Sequence, residues 1–367
     1  LLWLQSGWLA RGKGSGIPQT ITSIEEPQQA GRLLGWIPTL QRLLLWGLAS
    51  LTLLPLGREG PVVQVGASAA LWLRRRYPRW IGALQQGDLL AVAAGAGLAG
   101  GFNTPLLGVV FVAEEFLSTF SPQLIWPALV ISGVAAAFSS VVGQPEFALG
   151  LLSVEPLELL QVLWAVPVGA LAGLLGAGFA RLLLMATQRW RLQVQRQPLR
   201  VGLLLGAALS GCLLLSGGAS GCDGELLMIR LIEGSNPAQF VLPGLFGDLL
   251  TLLLRVITPV LALGAGIPGG LIDPSFAYGA LLGHGLSGLP LGLGSQLGLS
   301  LGMVGALAGS TQLPVMAVMF GMRLAGDQQL LPGLLVAAVV GAYVSRLLVD
   351  KPVYHALKQI ADQAPAA

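Results

Sequence analysis

Charged side chains are scarce in this sequence. Of its 367 residues only 10% are Asp, Glu, Lys or Arg, whereas 54% are hydrophobic and the mean hydropathy is +0.76. A soluble domain carries about 25% charged residues, with which it covers its water-facing surface. The composition therefore excludes an ordinary soluble domain and predicts a chain whose solvent is lipid. The 52 glycines and 23 prolines agree with this prediction, because membrane helices pack closely and break inside the bilayer.

Cysteine and histidine are almost absent. Cys212 and Cys222 lie ten residues apart near a Gly/Ser-rich bend, so they form neither a disulfide framework nor a metal site. His284 and His355 have no Cys or acid at metal-ligand spacing, and we predict structural roles for all four residues. No phosphate loop, nucleophile elbow or metalloprotease signature occurs. These absences leave a membrane enzyme only as a distant alternative.

Basic residues exceed acidic ones only slightly, 20 against 17. They cluster between hydrophobic stretches, at Arg74-Arg75-Arg76 and from Arg189 to Arg200, which is typical of cytoplasmic loops and not of a nucleic-acid surface. The sequence starts without a methionine, and Leu1 to Ala10 resembles the end of a helix. We therefore expect the first repeat to be truncated at its N-terminus.

Hydrophobic stretches of two lengths alternate along the chain. A full crossing of the bilayer needs about 20 residues, and helices that stop inside the membrane are tolerated only where their ends are buried or line a polar cavity. The long stretches are Leu33 to Leu54, Leu124 to Val142, Leu157 to Ala186, Val201 to Leu215, Phe240 to Leu263 and Leu330 to Leu348. The pieces of about half a bilayer are Pro61 to Leu73, Leu89 to Gly101, Pro105 to Phe116, Pro274 to Leu286, Leu297 to Gly309 and Pro314 to Met322.

Prolines mark the expected starts of the short helices, at Pro61, Pro105, Pro274, Pro314 and Pro352. A helix start leaves N–H groups unpaired and carries roughly half a positive charge. A start that is buried inside a membrane protein therefore needs an anion. This pattern is the first indication of function.

The two halves of the sequence match one another. The segment from Gly57 to Pro61 aligns with Gly270 to Pro274 at an offset of 213, and Leu98 to Pro105 aligns with Leu307 to Pro314 at an offset of 209. Such repeats are typical of transporters that hold their ligand between half-helices near the midplane. We predict one membrane domain made of two repeats, residues 1–188 and 189–367.

Five segments in order resemble the CLC family of chloride channels and chloride/proton antiporters. They are Gly14-Ser-Gly-Ile-Pro18, Gly57-Arg-Glu-Gly-Pro61, Phe102 to Glu115, Gly269-Gly-Leu-Ile-Asp-Pro274 and Lys351-Pro-Val-Tyr354. The resemblance covers nearly the whole chain and implies an all-α polytopic fold of two inverted pseudo-symmetric repeats with broken, half-membrane helices. It is closest to prokaryotic members without C-terminal regulatory domains.

The first two motifs carry the predicted gate. Ser15 stands between Gly14 and Gly16, where its hydroxyl can donate a hydrogen bond to an anion; the matching family serine coordinates chloride and favours it over nitrate. The alternative is a capping or turn serine. The resemblance makes Glu59 the gate and external proton acceptor, because a carboxylate beside a helix start can occupy an anion site and leave when protonated. Gly57, Arg58 and Gly60 are predicted to support it.

Two later segments complete the predicted site. The resemblance assigns Glu115 as the internal proton acceptor found in antiporters, with Glu114 as a supporting neighbour; the alternative is that both mark the water interface. It also assigns the Tyr354 hydroxyl to the anion site, and an interfacial tyrosine is the alternative. In the third motif, the backbone N–H groups of Leu271 and Ile272 are expected to bind chloride.

The third motif departs from the family pattern. Ile272 replaces the usual phenylalanine, and Asp273 stands where a small apolar residue is common. A carboxylate there repels chloride unless it is paired or turned away, and we predict for it only an N-cap role.

Together these patterns predict a chloride/proton antiporter of a bacterial inner membrane. The resemblance implies a homodimer in the lipid bilayer, with chloride as ligand, protons as the second substrate and no cofactor or metal. A passive chloride channel is the main alternative, and a fluoride exporter fits Ser15 less well. An enzyme using Glu59 and Glu115 as acid and base is the distant one.

Overall fold

The computed structural model describes residues 1–81, 84–143, 159–233, 245–290 and 292–363. Within these ranges the chain consists of helices joined by short connections, and its only bridge of β type joins Gly57 and Gly270. The first ten α-helices are α1 (Leu2–Ser6), α2 (Ile17–Glu25), α3 (Ala30–Leu33), α4 (Trp36–Leu51), α5 (Glu59–Arg76), α6 (Pro78–Ile81), α7 (Gln86–Phe102), α8 (Pro105–Phe111), α9 (Pro122–Val142) and α10 (Leu159–Leu163).

The second part of the chain continues in the same manner. Its helices are α11 (Ala165–Arg196), α12 (Pro198–Leu215), α13 (Glu225–Ile232), α14 (Leu245–Gly264), α15 (Ile272–Ser287), α16 (Ser295–Thr311), α17 (Pro314–Ala325), α18 (Leu331–Arg346) and α19 (Val353–Asp362). Short 3₁₀ turns lie at Ala10–Gly12, Pro27–Gln29 and Gln328–Leu330, and a π turn at Val112–Phe116 follows α8.

Five helical segments in the described residues are long and apolar enough to cross a membrane. They are Pro122–Val142, Gln161–Arg196, Pro198–Leu215, Phe246–Gly264 and Gln328–Arg346. These match five of the six long stretches predicted from the sequence, whereas α4, in the sixth, has only 16 residues. None of the apolar window in α12 is buried, so the other described helices leave its apolar side chains largely uncovered.

The pieces predicted to span half a bilayer are longer than their apolar cores. The helices α5, α7, α15 and α16 have 18, 17, 16 and 17 residues, because flanking polar residues such as Glu59, Gln86 and Ser295 extend them by a turn. The predicted piece Pro105 to Phe116 is divided between α8, with 7 residues, and the π turn Val112–Phe116. The helix α17, with 12 residues, continues past Met322 to Ala325. The prediction that helix starts lie inside the protein is confirmed for α5 and α15, where Glu59 and Ile272 are both fully buried. It is wrong for α8 and α17, where Leu106 and Val315 in the first turn are 52% and 40% exposed.

The repeat offsets recur in the three-dimensional structure. The starts of α5 and α15 are 213 residues apart, and α7 and α16 match at both ends at an offset of 209. Asn103 and Gln312, also 209 apart, both end their helices in the left-handed conformation, with φ of 48° and 63°. Gly57 and Gly270 exchange two backbone hydrogen bonds of 3.0 and 2.9 Å. Equivalent residues thus meet where the two halves face one another.

Glycines allow the helices of each half to pack closely. A side chain at Gly66 of α5 would collide with the Ala93 carbonyl of α7, and one at Gly279 of α15 with the Gly302 carbonyl of α16. The long α11 approaches α18 in the same manner, with Gly173 against Gly341. Small residues at these crossings are what membrane helices use in place of a hydrophobic driving force. The predicted boundary at residues 188 and 189 falls within α11 and stays a prediction.

The C-terminal helix lies beside the basic end of α11. The Arg191 guanidinium donates a hydrogen bond of 2.6 Å from Nη1 to the Ile360 carbonyl of α19. We therefore predict that residues 189–200 and the segment after Lys351 share the cytoplasmic side. With Cys212 and Cys222 replaced by Ser, single cysteines at Gln193 and Gln363 should react with an impermeant thiol reagent from the same face. Labelling from opposite faces would contradict this topology.

Candidate anion and proton site

Three helix starts meet at the predicted anion site. The Gly57–Gly270 bridge holds the starts of α5 and α15 side by side. The start of α2 joins them because Gly16, its N-cap, lies against the Gly60 carbonyl, a contact that any side chain at Gly16 would prevent. Gly16 also has φ of 115°, which favours glycine. The N–H groups and positive dipole ends of three helices thus point toward one buried region.

Glu59 places its carboxylate between two of these helix starts. It is fully buried at the first position of α5, and Oε1 accepts a hydrogen bond of 2.8 Å from the Asp273 N–H of α15. Gly57 and Gly270 flank the carboxylate so closely that a Cβ at either position would collide with it. Glu59 Oε2 is buried and has no hydrogen-bond partner in the described residues. The side chain therefore occupies the kind of position where helix ends bind anions.

Two predicted hydroxyls line one cavity of about 500 Å³ with Leu271. Tyr354 is fully buried, and within the described ranges neither its hydroxyl nor the buried Ser15 Oγ has a hydrogen-bond partner. The capping role considered for Ser15 is wrong, because Gly16 is the N-cap of α2. The interfacial role considered for Tyr354 is wrong as well, since interfacial tyrosines are solvent-accessible. Both hydroxyls are available to donate to an anion.

The third motif has the expected backbone geometry but an unexpected acid. Leu271 and Ile272 stand at the N-cap and first position of α15, so their N–H groups belong to the helix start. The predicted N-cap role of Asp273 is wrong: it is the second residue of the helix, and no side chain caps it. Its carboxyl lies beside that of Glu59, and the two repel one another when both are ionised.

Two arginines offset the negative charge at the gate. Arg58 lies 5.2 Å above the Phe102 ring and 3.8 Å from the Glu225 carboxylate. Arg255 of α14 is fully buried, and its Nη1 donates a hydrogen bond of 2.5 Å to the Gly221 carbonyl. Both attract the Asp273 carboxyl. The supporting role of Arg58 stays a prediction, which these contacts allow. Arg255 is a residue that the sequence patterns did not single out.

The two adjacent acids after α8 have different environments. They lie in the π turn Val112–Phe116, and such turns are frequent at functional sites. Glu114 accepts hydrogen bonds of 2.9 and 2.7 Å from the N–H groups of Val315 and Met316, so it caps α17 of the other repeat. The side chain of Glu115 is only 1% exposed, so the interfacial alternative is wrong for it. Neither of its carboxylate oxygens has a hydrogen-bond partner in the described part of the chain.

His355 is the neighbour of Glu115 that the sequence patterns missed. Its Nε2 lies 3.2 Å from the Glu115 carbonyl oxygen and 3.7 Å from Oε1 of the same residue. We predicted a structural role for it because no acid stands nearby in sequence. The only available signal was its position directly after Tyr354. No cluster of metal-ligating side chains occurs in the described ranges.

Comparison with known proteins places this chain in a family. The sequence profile of the voltage-gated chloride channels matches residues 1–346. The H(+)/Cl(−) exchange transporter ClcA of Yersinia pestis (bv. Antiqua, strain Angola) is 29% identical over 377 residues, which cover 97% of this chain and 74% of the relative. ClcA of Klebsiella pneumoniae (strain 342) is also 29% identical, over 96% of this chain and 76% of the relative.

Solved structures of antiporters are also similar to this chain. A slow cyanobacterial Cl⁻/H⁺ antiporter superposes with a TM-score of 0.80 at 26% identity, covering 99% of this chain and 84% of that one. A CLC-type fluoride/proton antiporter superposes with a TM-score of 0.76 at 25% identity, covering 96% and 84%. The fold and the helix-end site define an anion transporter of the CLC type. The chain belongs to the voltage-gated chloride channel family, and the predicted family, fold class and multi-pass location in a bacterial inner membrane are confirmed.

Proposed function

We propose that this protein exchanges chloride for protons across the membrane, with Glu59 as the gate. The observation that carries the proposal is the position of the Glu59 carboxylate, which is bonded to the start of α15 while it begins α5. Chloride competes with this carboxylate for the helix ends. When Glu59 takes up a proton it loses its charge, and with it the attraction to the helix dipoles. The same side chain thus releases the anion path and carries a proton.

Chloride is bound in this proposal by dipoles and not by full charges. The N–H groups of Leu271 and Ile272 and the hydroxyls of Ser15 and Tyr354 surround it, so no cofactor or metal is needed. Donors of this type hold an ion firmly enough to strip its water and loosely enough to release it. The exchange names of the relatives support chloride as the ion that is moved.

Glu115 is the inner proton acceptor of the proposed cycle. It is the buried acid that the family resemblance places on the inner side, and it lies on the same turn as the cap of α17. A channel of the same fold needs no such acid, so Glu115 favours antiport. We also propose that the protein works as a homodimer in the lipid bilayer, as its family resemblance implies.

Liposomes that contain the purified protein test this function. Chloride efflux and internal pH are recorded together after a chloride gradient is imposed, and coupled movement of both ions is expected. Chloride movement without protons would establish the channel alternative. Coupled movement with fluoride but not with chloride would establish the fluoride alternative, which the likeness to the fluoride/proton antiporter makes worth measuring.

Ser15 should set the preference for chloride over nitrate. Replacing Ser15 by Ala or Pro removes a buried hydroxyl donor, and a site that hydrogen-bonds its ligand loses discrimination when the donor is lost. We expect the chloride-to-nitrate flux ratio to fall several-fold. Ser23→Ala is the matched control, because the Ser23 hydroxyl already donates to the Gln19 carbonyl. An unchanged ratio in the Ser15 variants would show that this hydroxyl does not contact the anion.

A further inference from the structure

His355 links the buried Glu115 to the protein surface. The His355 side chain is 33% exposed, whereas that of Glu115 is 1% exposed. One ring nitrogen, Nε2, lies near both the Glu115 carbonyl and its carboxylate oxygen Oε1. The imidazole therefore lies with Nε2 beside Glu115, while part of the His355 side chain is accessible to water.

The position of this imidazole is fixed by contacts of α19 with two other helices. Lys358 forms an ion pair with Glu25 of α2. Arg191 of α11 holds the Ile360 carbonyl at 2.6 Å. Glu114 is occupied in capping α17. Asp362 of α19 is exposed to water. Of the acids on the elements that pack around His355, Glu115 is thus the buried one whose carboxylate oxygens lack hydrogen-bond partners in the described residues.

A buried acid that takes up and releases protons needs a path to water. Glu115 has almost no exposure of its own, and Phe111 packs against Phe116 beside it with ring centroids 5.0 Å apart. Imidazole is suited to such a path because either nitrogen can hold the proton near neutral pH. The 3.7 Å separation from Nε2 to Oε1 must shorten by about 0.5–1 Å to reach hydrogen-bonding distance, or one water must bridge it.

We propose that His355 is the proton relay between water on the α19 side of the membrane and Glu115. Water delivers a proton to Nδ1 of the neutral ring, and the imidazolium then gives the Nε2 proton to the Glu115 carboxylate. The products are a neutral carboxylic acid and a neutral imidazole with its proton on Nδ1. Exchange with water returns the ring to its starting tautomer, and the reverse steps release a proton. The relay rests on the proposed function, because it supplies the inner acceptor of that cycle.

His355→Gln in liposomes tests the relay. Glutamine keeps an N–H donor for the Glu115 carbonyl but cannot carry a proton through its amide. We expect chloride-driven proton uptake to slow by about tenfold or more while chloride flux persists, since only the proton passes through Glu115. Imidazole added on the α19 side should restore much of the rate in His355→Ala. The matched control is His284→Gln, which should transport at the wild-type rate.

A second experiment, made in the Glu59→Gln variant, distinguishes a proton relay at His355 from a structural role of the same residue. In Glu59→Gln chloride flux no longer depends on protons, so adding His355→Gln should not slow it further. If it does slow chloride flux there, His355 acts by holding the structure and the relay is wrong. Wild-type proton rates in His355→Gln would also overturn it. Absence of proton movement in the wild type itself would refute the proposed antiport, a result that is distinct from both.

Discussion

Replacing Glu59 by Gln should leave chloride flux in liposomes and abolish the proton movement coupled to it. The amide is nearly isosteric with the protonated carboxyl, so the variant imitates the displaced gate at every pH. It has no charge with which to compete for the helix ends of α5 and α15, and it cannot carry a proton. We expect chloride-driven proton uptake to fall to the rate of empty liposomes. The dependence of chloride flux on pH should vanish with it.

The control for Glu59 is the same chemical change at an exposed acid. Glu26→Gln alters a side chain whose carboxylate contacts only Gln29 in the described structure, and it should keep the wild-type ratio of proton to chloride movement. Coupled proton movement at the wild-type ratio in Glu59→Gln would remove Glu59 from the mechanism. Loss of chloride flux as well would show that the carboxylate binds or positions the anion instead of competing with it.

Most of what could be predicted about the fold came from the internal repeat in the sequence. Motif pairs at offsets of 213 and 209 predicted equivalent helix starts, and the structure places α5 with α15 and α7 with α16 at those offsets. Proline was a good marker because it tolerates the first turn, where no N–H is needed. Pro105 and Pro314 begin their helices, while Pro352 only precedes α19. Helix lengths were less predictable, since polar residues such as Glu59 and Gln86 continue a helix without an apolar pattern.

The contacts between the halves of the site could not be predicted. The bond from Asp273 N–H to Glu59 joins residues 214 positions apart, and that between His355 and Glu115 joins residues 240 apart. Glu114 caps a helix that begins 200 residues later. Local spacing carries no information on such pairs, because they depend on how the two repeats face one another. These contacts distinguish Glu114, which caps α17, from Glu115, which does not, although the two acids look equivalent in the sequence.

Because Glu114 and Glu115 have different contacts, their roles in antiport can be tested by separate variants. A proton that crosses the membrane needs an acceptor on the inner side as well as Glu59, and Glu115 is buried with no bond to occupy its carboxylate in the described residues. Glu115→Gln should therefore transport chloride while chloride-driven proton uptake falls to the background of empty liposomes. The amide keeps the volume of the side chain, so the packing of Phe111 and Phe116 should be preserved.

Glu114→Gln provides the matched comparison on the same turn. Its carboxylate binds two N–H groups at the start of α17, and an amide oxygen can accept from that helix end less strongly because it has no charge. We expect a loss of about 1 kcal/mol of stability, measured as a lower melting temperature in detergent, with proton coupling retained. If Glu115→Gln still moves protons at the wild-type ratio while Glu114→Gln does not, the inner acceptor is Glu114 and its cap is a secondary role. If both variants remain coupled, the inner proton path avoids this turn.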